Sequence, residues 1–307
     1  MVTLVLRRAC EALLVLAVVS VGVFAMTEAA PGRFLSELRA NPRISAETIA
    51  VLEQRFDLDK PIHRRYLSWA RSALGGDLGY SALYQMPVSE VLLPRVGNTF
   101  KLAALAIMLA WLAAVPAGVW SGVRAGRMFD RVAAAGSSLL LATPDLVAGL
   151  AVVWIAAWTG WFPVGGGEGL VLPAFALAAV TAPAVYRHTR AAVIEALDSR
   201  AVTAARLHGL SDFTVIVGHV LPLAAIPLVP LFGLSMASLL SASLLIEVVV
   251  AWPGLGPLML DAVLGRDLHL LVASALMSSA MLLAASAGSD LLLRWVDPRV
   301  RHAGHQW

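Results

Sequence analysis

The sequence is poor in charge, in cysteine and in lysine. Only 14% of its 307 residues are charged and 59% are hydrophobic, whereas soluble domains have about one quarter charged and about one half apolar residues. Cys10 is the only cysteine, which excludes an intrachain disulfide and a thiolate metal cluster. Neither lysine, Lys60 or Lys101, ends a glycine-rich phosphate loop, so the chain carries no recognisable nucleotide site. The formal net charge of +3 comes without a basic stripe interleaved with aromatics, which argues against nucleic-acid binding.

The hydrophobic residues are collected into runs long enough to cross a bilayer, which takes about 20 residues of helix. We therefore expect an all-α membrane protein with six transmembrane helices. The runs lie near residues 10–30, 99–123, 132–161, 170–185, 223–250 and 269–293. A cleaved signal peptide is an alternative for the first run, but its apolar core is longer than such peptides usually have. The fourth run is the shortest and contains Pro173 and Pro183.

A charged segment of mixed sign, residues 31–97, separates the first two runs. We expect it to form an insert with short helices around residues 45–56 and 61–74. The domain organisation that follows is an N-terminal transmembrane helix at 1–30, the insert, and a core of five transmembrane helices at 98–301.

The distribution of arginine predicts the orientation in the membrane. Arginines recur at both termini and in the segments 124–131 and 186–222, whereas the segment 162–169 has no basic residue and 251–268 has only Arg266. The insert at 31–97 also carries many arginines, but a segment of that length counts little toward orientation. Cytoplasmic loops carry the excess of basic residues. We therefore expect both termini and the segment 186–222 to be cytoplasmic, and the insert at 31–97 to be extracytoplasmic.

The segment 186–222 alternates apolar and charged residues and is interrupted by Gly209. It predicts two short helices joined by an elbow, because glycine is suited to end a helix. Ser199 and Ser211 are suited to begin helical turns. An amphipathic linker lying on the membrane surface explains the pattern, and so does a helix that docks into a groove of a soluble partner.

The end of this segment resembles the EAA loop of ABC-transporter permeases, which reads Glu-Ala-Ala, three residues, Gly, nine residues and Ile-x-Leu-Pro. Here "TAA" at 203–205 takes the first place, Gly209 follows three residues later, and "HVLP" at 219–222 closes the loop. The threonine and histidine resemble the variant of the peptide/nickel-type branch. The resemblance implies a role in coupling to an ATPase for eight residues: Thr203, Ala204, Ala205, Gly209, Leu210, His219, Leu221 and Pro222.

Three further stretches resemble the same family in the same order, over nearly the whole chain. They are "RFDLDKPIHRRYLSWARSALGGDLGYS" from Arg55, "IEVVVAWPGLGPLMLDAVLGRD" from Ile246 and "LLLRWVDPRVR" from Leu291. The chain therefore resembles the permease subunit of a peptide/nickel-type ABC importer, a binding-protein-dependent transport system inner membrane component. The resemblance implies the type I ABC importer permease fold and a place in the bacterial plasma membrane.

The resemblance also implies partners. A second, homologous permease subunit would complete the pathway, two ABC ATPase subunits would bind ATP and Mg, and an extracytoplasmic solute-binding protein would deliver the solute. This chain would then be no enzyme and hold no cofactor, and it would contact membrane lipid but no nucleic acid. Di- or oligopeptides are the expected substrates, with nickel or a metal chelate as the alternative.

Ionisable side chains inside predicted spans are costly and are therefore candidates for function. Asp145, which the pattern places in the middle of the third span, is either a pathway-lining residue or a buried polar contact between helices. Glu247 matches a family position, and we expect it to make a structural or gating contact with the segment "WPGLG" that begins at Trp252. These three residues are the pathway or gating candidates, and no metal site is expected.

Two other classes of protein fit the sequence less well. A secondary transporter that works without ATP would need inverted repeats with broken spans, and residues 1–150 and 151–307 show no such repeat. An intramembrane hydrolase would need a nucleophile motif such as G-x-S-x-G, which the sequence lacks.

Overall fold

A computed structural model describes residues 2–29, 61–160 and 169–296. The chain forms two compact units, one of Met1–Thr99 with Pro253–Met281 and one of Phe100–Trp252 with Leu282–Trp307. The helix predicted at 45–56 lies outside the described residues. The elements in chain order are α1 (Val2–Ala29), α2 (Ile62–Leu74), β1 (Tyr80–Ser81), β2 (Met86–Pro87), α3 (Val88–Val123), α4 (Met128–Ala142), α5 (Asp145–Thr159), α6 (Val171–Leu197), α7 (Arg200–Leu207), α8 (Asp212–Val215), a π-helical turn (Ile216–Val220), α9 (Leu221–Val249), α10 (Leu255–Leu264) and α11 (Leu268–Val296).

An aromatic cluster packs α2 against α1 in the first unit. The ring of Phe24 lies 5.3 Å from that of Tyr66, edge to face, and 5.6 Å from that of Trp69. The hydroxyls of Ser20 and Tyr66 share a hydrogen bond of 2.9 Å. Such edge-on pairs add to the burial of apolar area. The charged helix predicted at 61–74 is therefore present, with its aromatic face buried.

One carboxylate holds the β1–β2 hairpin to the start of α11 in the same unit. Asp267 is 2% exposed. It accepts hydrogen bonds from the Ser81 hydroxyl at 2.6 Å and from the backbone N–H groups of Leu83 at 3.0 Å and Leu270 at 3.1 Å. The last of these bonds caps α11, because the first N–H groups of a helix have no partner within it. The family-like sequence "GDLGYS" is thus fixed by a residue 186 positions away.

Helix α6 is the centre of the second unit and packs against α4, α5 and α9. Helix α3 also approaches it closely, at two glycines. A Cβ at Gly118 would lie 2.7 Å from Cβ of Thr189, and one at Gly122 would lie 2.6 Å from Cγ1 of Val193. Small residues four positions apart allow membrane helices to approach to this distance.

The all-α membrane architecture is confirmed. Among the described residues, four helical stretches are long and apolar enough to cross a membrane: Leu6–Thr27, Val88–Val123, Asp212–Val249 and Leu268–Leu291. A fifth results if α4 and α5 count as one broken span. Helix α6, which contains the predicted fourth run, is not among them, since its apolar stretch gives way to a polar one at Arg187.

The predicted third span is not one straight helix. Helices α4 and α5 meet at an angle of 116°. Thr143, which has φ −89° and ψ 131°, is extended because it precedes Pro144, whose ring excludes the helical conformation there. Asp145 therefore lies, exposed, in the first turn of α5. If α4 and α5 form one broken span, Asp145 lies at the break in its middle, where a carboxylate complements the dipole of α5. Its role in the pathway stays a prediction.

Candidate functional site

A glycine elbow follows α7, as the sequence predicted. Gly209 has φ +77°. Its N–H donates to the carbonyl of Arg206 at 3.0 Å, and the N–H of Leu210 donates to the carbonyl of Ala205 at 3.3 Å. This pair of bonds is the Schellman motif, in which the left-handed residue is usually glycine. The chain reverses here because Gly209 adopts this conformation without strain.

Serine caps begin the helices on both sides of the elbow. The Ser199 hydroxyl accepts a hydrogen bond from the N–H of Val202 at 3.4 Å, and the Ser211 hydroxyl accepts one from the N–H of Thr214 at 3.3 Å. Both serines have extended backbones, as N-cap residues do. The two turns of helix are therefore defined by local sequence.

Beyond Ser211 the helix continues without a break into α9. The π-helical turn Ile216–Val220 lies between, and the N–H of Leu221 donates to the carbonyl of Ile216, five residues earlier. Pro222 comes next, and its ring needs room above the preceding turn, which a wider turn provides. The run Asp212–Val249 comprises 38 residues. The apolar run predicted from about residue 223 corresponds to α9, which begins at Leu221 and continues this longer helix.

The elbow has a buried side and an exposed side. Its buried residues pack with the end of α6 in one apolar cluster: Val202, Ala205, Val215, Val220 and Ala224 with Ala192, Val193 and Ala196. On the other side, Leu207 is 85% exposed and Phe213 is 76% exposed. Leu210 between them is also exposed. Large apolar side chains grouped at a surface mark a contact with another protein or with a membrane.

The eight predicted coupling residues divide between these two sides. Five are exposed: Thr203, Ala204, Gly209, Leu210 and Pro222. Three are buried or half-buried: Ala205, His219 and Leu221. The first group is accessible to a partner, while the second attaches the elbow to its own helices. Their coupling role stays a prediction.

Glu247 and Trp252 lie at the end of α9. The N–H of Trp252 donates to the backbone carbonyl of Glu247 at 2.8 Å. Both side chains are buried, that of Glu247 completely. The main chain of this glutamate therefore contacts the first residue of "WPGLG", and a structural or gating role stays a prediction.

An ion pair that the sequence analysis did not predict lies next to the elbow's base. Asp130 of α4 is 3% exposed and binds Arg190 of α6 through both carboxylate oxygens, with Nη2 of the arginine 2.9 Å from Oδ2. The N–H of Gly126 donates to the same Oδ2 at 2.7 Å. The two side chains are 60 positions apart, so no local pattern links them. Arg190 entered the sequence analysis only as one of the basic residues that set the orientation.

Comparison with known proteins places this geometry in a family. The family model of the binding-protein-dependent transport system inner membrane component matches residues 114–302, which include the elbow and both of its helices. The chain is 29% identical to the oligopeptide transport system permease protein AppB of Bacillus subtilis over 98% of this chain and 100% of that protein. It is 30% identical to the glutathione transport system permease protein GsiC of Salmonella typhi, with the same coverage of both chains.

Solved structures have the same fold. The inward-facing methionine ABC transporter MetNI superposes with a TM-score of 0.59 at 18% identity, over 67% of this chain and 96% of that one. An amino acid ABC transporter with histidines superposes with a TM-score of 0.58 at 20% identity, over 67% of this chain and 94% of that one. With the family match and the apolar helices, these likenesses lead to one conclusion. The chain belongs to the binding-protein-dependent transport system inner membrane component family and is a multi-pass permease subunit of an ABC importer.

Proposed function

We propose that this chain forms one half of the translocation pathway of an ATP-driven importer of short peptides. The observation that carries the proposal is the elbow at 199–222, whose geometry follows the motif of the family and whose tip presents Leu207 and Phe213 to a partner. The chain brings no phosphate loop of its own. ATP and Mg therefore belong to separate ATPase subunits in this proposal.

The elbow is the docking element for one of two ATPase subunits. Its exposed apolar side chains suit a groove on a soluble protein, as in recognition of an amphipathic helix. Its buried side is continuous with α6 and with the long run into α9. When the ATPase subunits close on ATP, the elbow moves with them, and packed helices carry that motion into the pathway.

The remaining partners follow from the family and from charge. A homologous second permease completes the pathway, and an extracytoplasmic solute-binding protein delivers the solute. Arginine-rich segments favour a cytoplasmic position for both termini and the elbow. In that orientation the insert at 31–97 faces the binding protein, and Asp145, Glu247 and Trp252 are the pathway or gating candidates.

Peptides are the favoured substrate class because both named relatives carry peptides in their names, an oligopeptide in one case and the tripeptide glutathione in the other. Nickel or a metal chelate is the second candidate, from the resemblance to the peptide/nickel-type branch. Within the described ranges, no group of three or more His, Cys, Asp or Glu side chains is placed to hold a metal ion. A peptide delivered by the binding protein needs no such group.

The test is uptake into proteoliposomes that contain the full complex with its binding protein. Labelled dipeptide, glutathione and nickel are compared with and without ATP. We expect ATP-dependent uptake of a peptide and no uptake without ATP. ATP-dependent uptake of nickel alone would keep the mechanism and replace the substrate. Uptake of any solute without ATP would contradict the coupling role of the elbow.

A further inference from the structure

The Asp130–Arg190 pair joins the helix that carries the elbow to the beginning of α4. The carboxylate is almost fully buried and receives three hydrogen bonds, two from the guanidinium of Arg190 and one from the N–H of Gly126. Gly126 has φ +82°, so the turn before α4 is shaped to deliver that bond. The carboxylate thus fixes both α6 and the loop that precedes α4.

A second polar contact lies on the same helix, one turn away. The hydroxyls of Ser121 on α3 and Tyr186 on α6 are 2.8 Å apart and buried. The glycines Gly118 and Gly122 bring α3 against α6 at this level. Around Tyr186 and Arg190, α6 is therefore held to α3 and α4 by directional hydrogen bonds. Apolar packing elsewhere along the helix is not directional.

The position of the pair along α6 connects it to the elbow. Arg190 lies seven residues before Leu197, where α6 ends and Ser199 begins the elbow. At a rise of 1.5 Å per residue this is about 10 Å of helix. Any rotation or axial shift of α6 at Arg190 reaches the elbow through this short rigid stretch.

The intact pair is a weak source of stability, because removing the Asp130 charge from water offsets the attraction and the Arg190 side chain is still 31% exposed. It restricts the geometry, since the planar guanidinium binds a carboxylate bidentately in only a few arrangements, of which this pair uses Nε and Nη2. An apolar contact in the same place would hold the helices together but would allow them to slide. The arrangement therefore fits a function in alignment better than one in stability.

We propose that Asp130 and Arg190 are positioning residues that set the angle and height of the elbow through α6. The proposal rests on the proposed function of the elbow, and it assigns the pair to transmission of motion, with no contact to the solute. Loss of the pair loosens the alignment of α6 and makes ATP hydrolysis less productive.

The first test measures the elbow's position in the full-length chain. Spin labels are attached at the exposed positions Leu207 and Met128, as Leu207→Cys and Met128→Cys with Cys10→Ser. We expect one narrow distance distribution in this parent, a broader or shifted one with Asp130→Asn or Arg190→Gln, and an intermediate one with Arg190→Lys, which keeps the charge without the fork. Arg187→Gln is the matched control, because Arg187 is exposed on the same helix and has no ion pair among the described residues.

The second test measures solute transported per ATP hydrolysed in the reconstituted complex. We expect Asp130→Asn to lower this ratio by about tenfold in the assembled complex. If Asp130→Asn does not fold, Arg190→Lys decides in its place. An unchanged ratio together with an unchanged distance distribution would overturn the proposal, as would a loss of transport and hydrolysis in equal proportion.

The two proposals fail in different ways. If the parent complex shows no ATP-driven uptake, the proposed function fails, while the distance measurement on the chain still reports whether the pair positions the elbow. If the parent transports and the variants keep the parent's distances and ratio, only the positioning proposal fails.

Discussion

Trp252 donates its backbone N–H to the carbonyl of Glu247, and between them Ala251 takes up a left-handed backbone with φ +54°. The N–H of Ala251 in turn donates to the carbonyl of Val248 at 3.3 Å. This is the same Schellman motif as at Gly209, with alanine where glycine is usual. Helix α9 thus ends in a motif that carries strain at one residue, directly before "PGLG".

Replacing that alanine should stabilise the protein. A non-glycine residue in the left-handed region costs about 1–2 kcal/mol, and glycine costs about 0.5–1 kcal/mol in the unfolded chain. Ala251→Gly is therefore expected to raise the free energy of unfolding by about 0.5–1 kcal/mol, measured as a higher melting temperature in detergent. Ala157→Gly, on an exposed face of α5, should lower it. A lower melting temperature for both variants would contradict the strain at Ala251.

Gly209 gives the opposite case, in which the side chain must stay absent. No atom lies within 4 Å of a Cβ built there, so the cost of Gly209→Val comes from the backbone alone. We expect the variant to fold and to lose the ATPase stimulation that accompanies uptake, while Gly209→Asn keeps most of it because asparagine tolerates this conformation. Gly136→Ala, in ordinary helix with equally open space, is the control. Normal uptake and stimulation in Gly209→Val would show that the elbow angle is not needed for coupling.

Gly233 is required for a close approach of α9 and α11. A Cβ there would lie 1.6 Å from Oγ and 2.9 Å from Cα of Ser289, so the helices would have to separate. We expect Gly233→Ala to destabilise the protein by about 1–3 kcal/mol. Adding Ser289→Gly removes the obstructing side chain and should recover part of the loss. The melting temperatures of the single and double variants test this. A double variant with a melting temperature no higher than that of Gly233→Ala would argue against a local clash with Ser289.

Asp267 should determine the stability of the β1–β2 hairpin. Asp267→Ala leaves the Ser81 hydroxyl and the N–H groups of Leu83 and Leu270 without their acceptor. Loss of these charge-assisted bonds is expected to cost at least about 2 kcal/mol locally. Hydrogen exchange of peptides spanning Leu83 and Leu270 should accelerate. The control Glu90→Gln, which changes an exposed carboxylate on the first turn of α3, should leave the hydrogen exchange of these peptides unchanged.

The hairpin also contains a tyrosine with a perturbed pKa. Burial, and then the hydrogen bond to Asp261 at 3.0 Å, raise the pKa of the Tyr84 hydroxyl above its usual value. Folding therefore favours the neutral phenol. This contribution to stability is complete below the unfolded pKa of about 10 and is lost as the pH rises through the raised folded value. Asp261→Asn should lower the pKa of Tyr84, measured as the difference in ultraviolet titration against Tyr84→Phe.

Local rules predicted the parts of the site that local sequence controls. Ser199, Gly209 and Ser211 each act within five residues of their own position, and the elbow they predict is present. The apolar runs likewise predicted most of the long helices, since length and hydrophobicity decide whether a helix spans a membrane. The eight coupling residues came from resemblance to a family motif.

Local sequence patterns do not predict features for which two effects compete or for which residues distant in the chain come into contact. Pro144 can kink a membrane helix or break it, and the sequence alone does not distinguish the two. In the structure the helix breaks there, so Asp145 lies at the start of α5. The helix is continuous from Asp212 into α9 through a π-helical turn, which was not predicted from the sequence. The ion pair of Asp130 and Arg190 requires the tertiary fold, because its members lie on different helices.

The long run from Asp212 to Val249 has a mechanical consequence. Its 38 residues measure about 57 Å along the axis, nearly twice the thickness of the hydrocarbon core of a bilayer. When the middle of such a helix is held in the bilayer, a tilt displaces its two ends. A tilt of about 10° moves an end that lies about 28 Å from the middle by about 5 Å. The elbow connects the end of α6 to the start of this helix, so we expect a displacement of the elbow's tip to tilt both helices together.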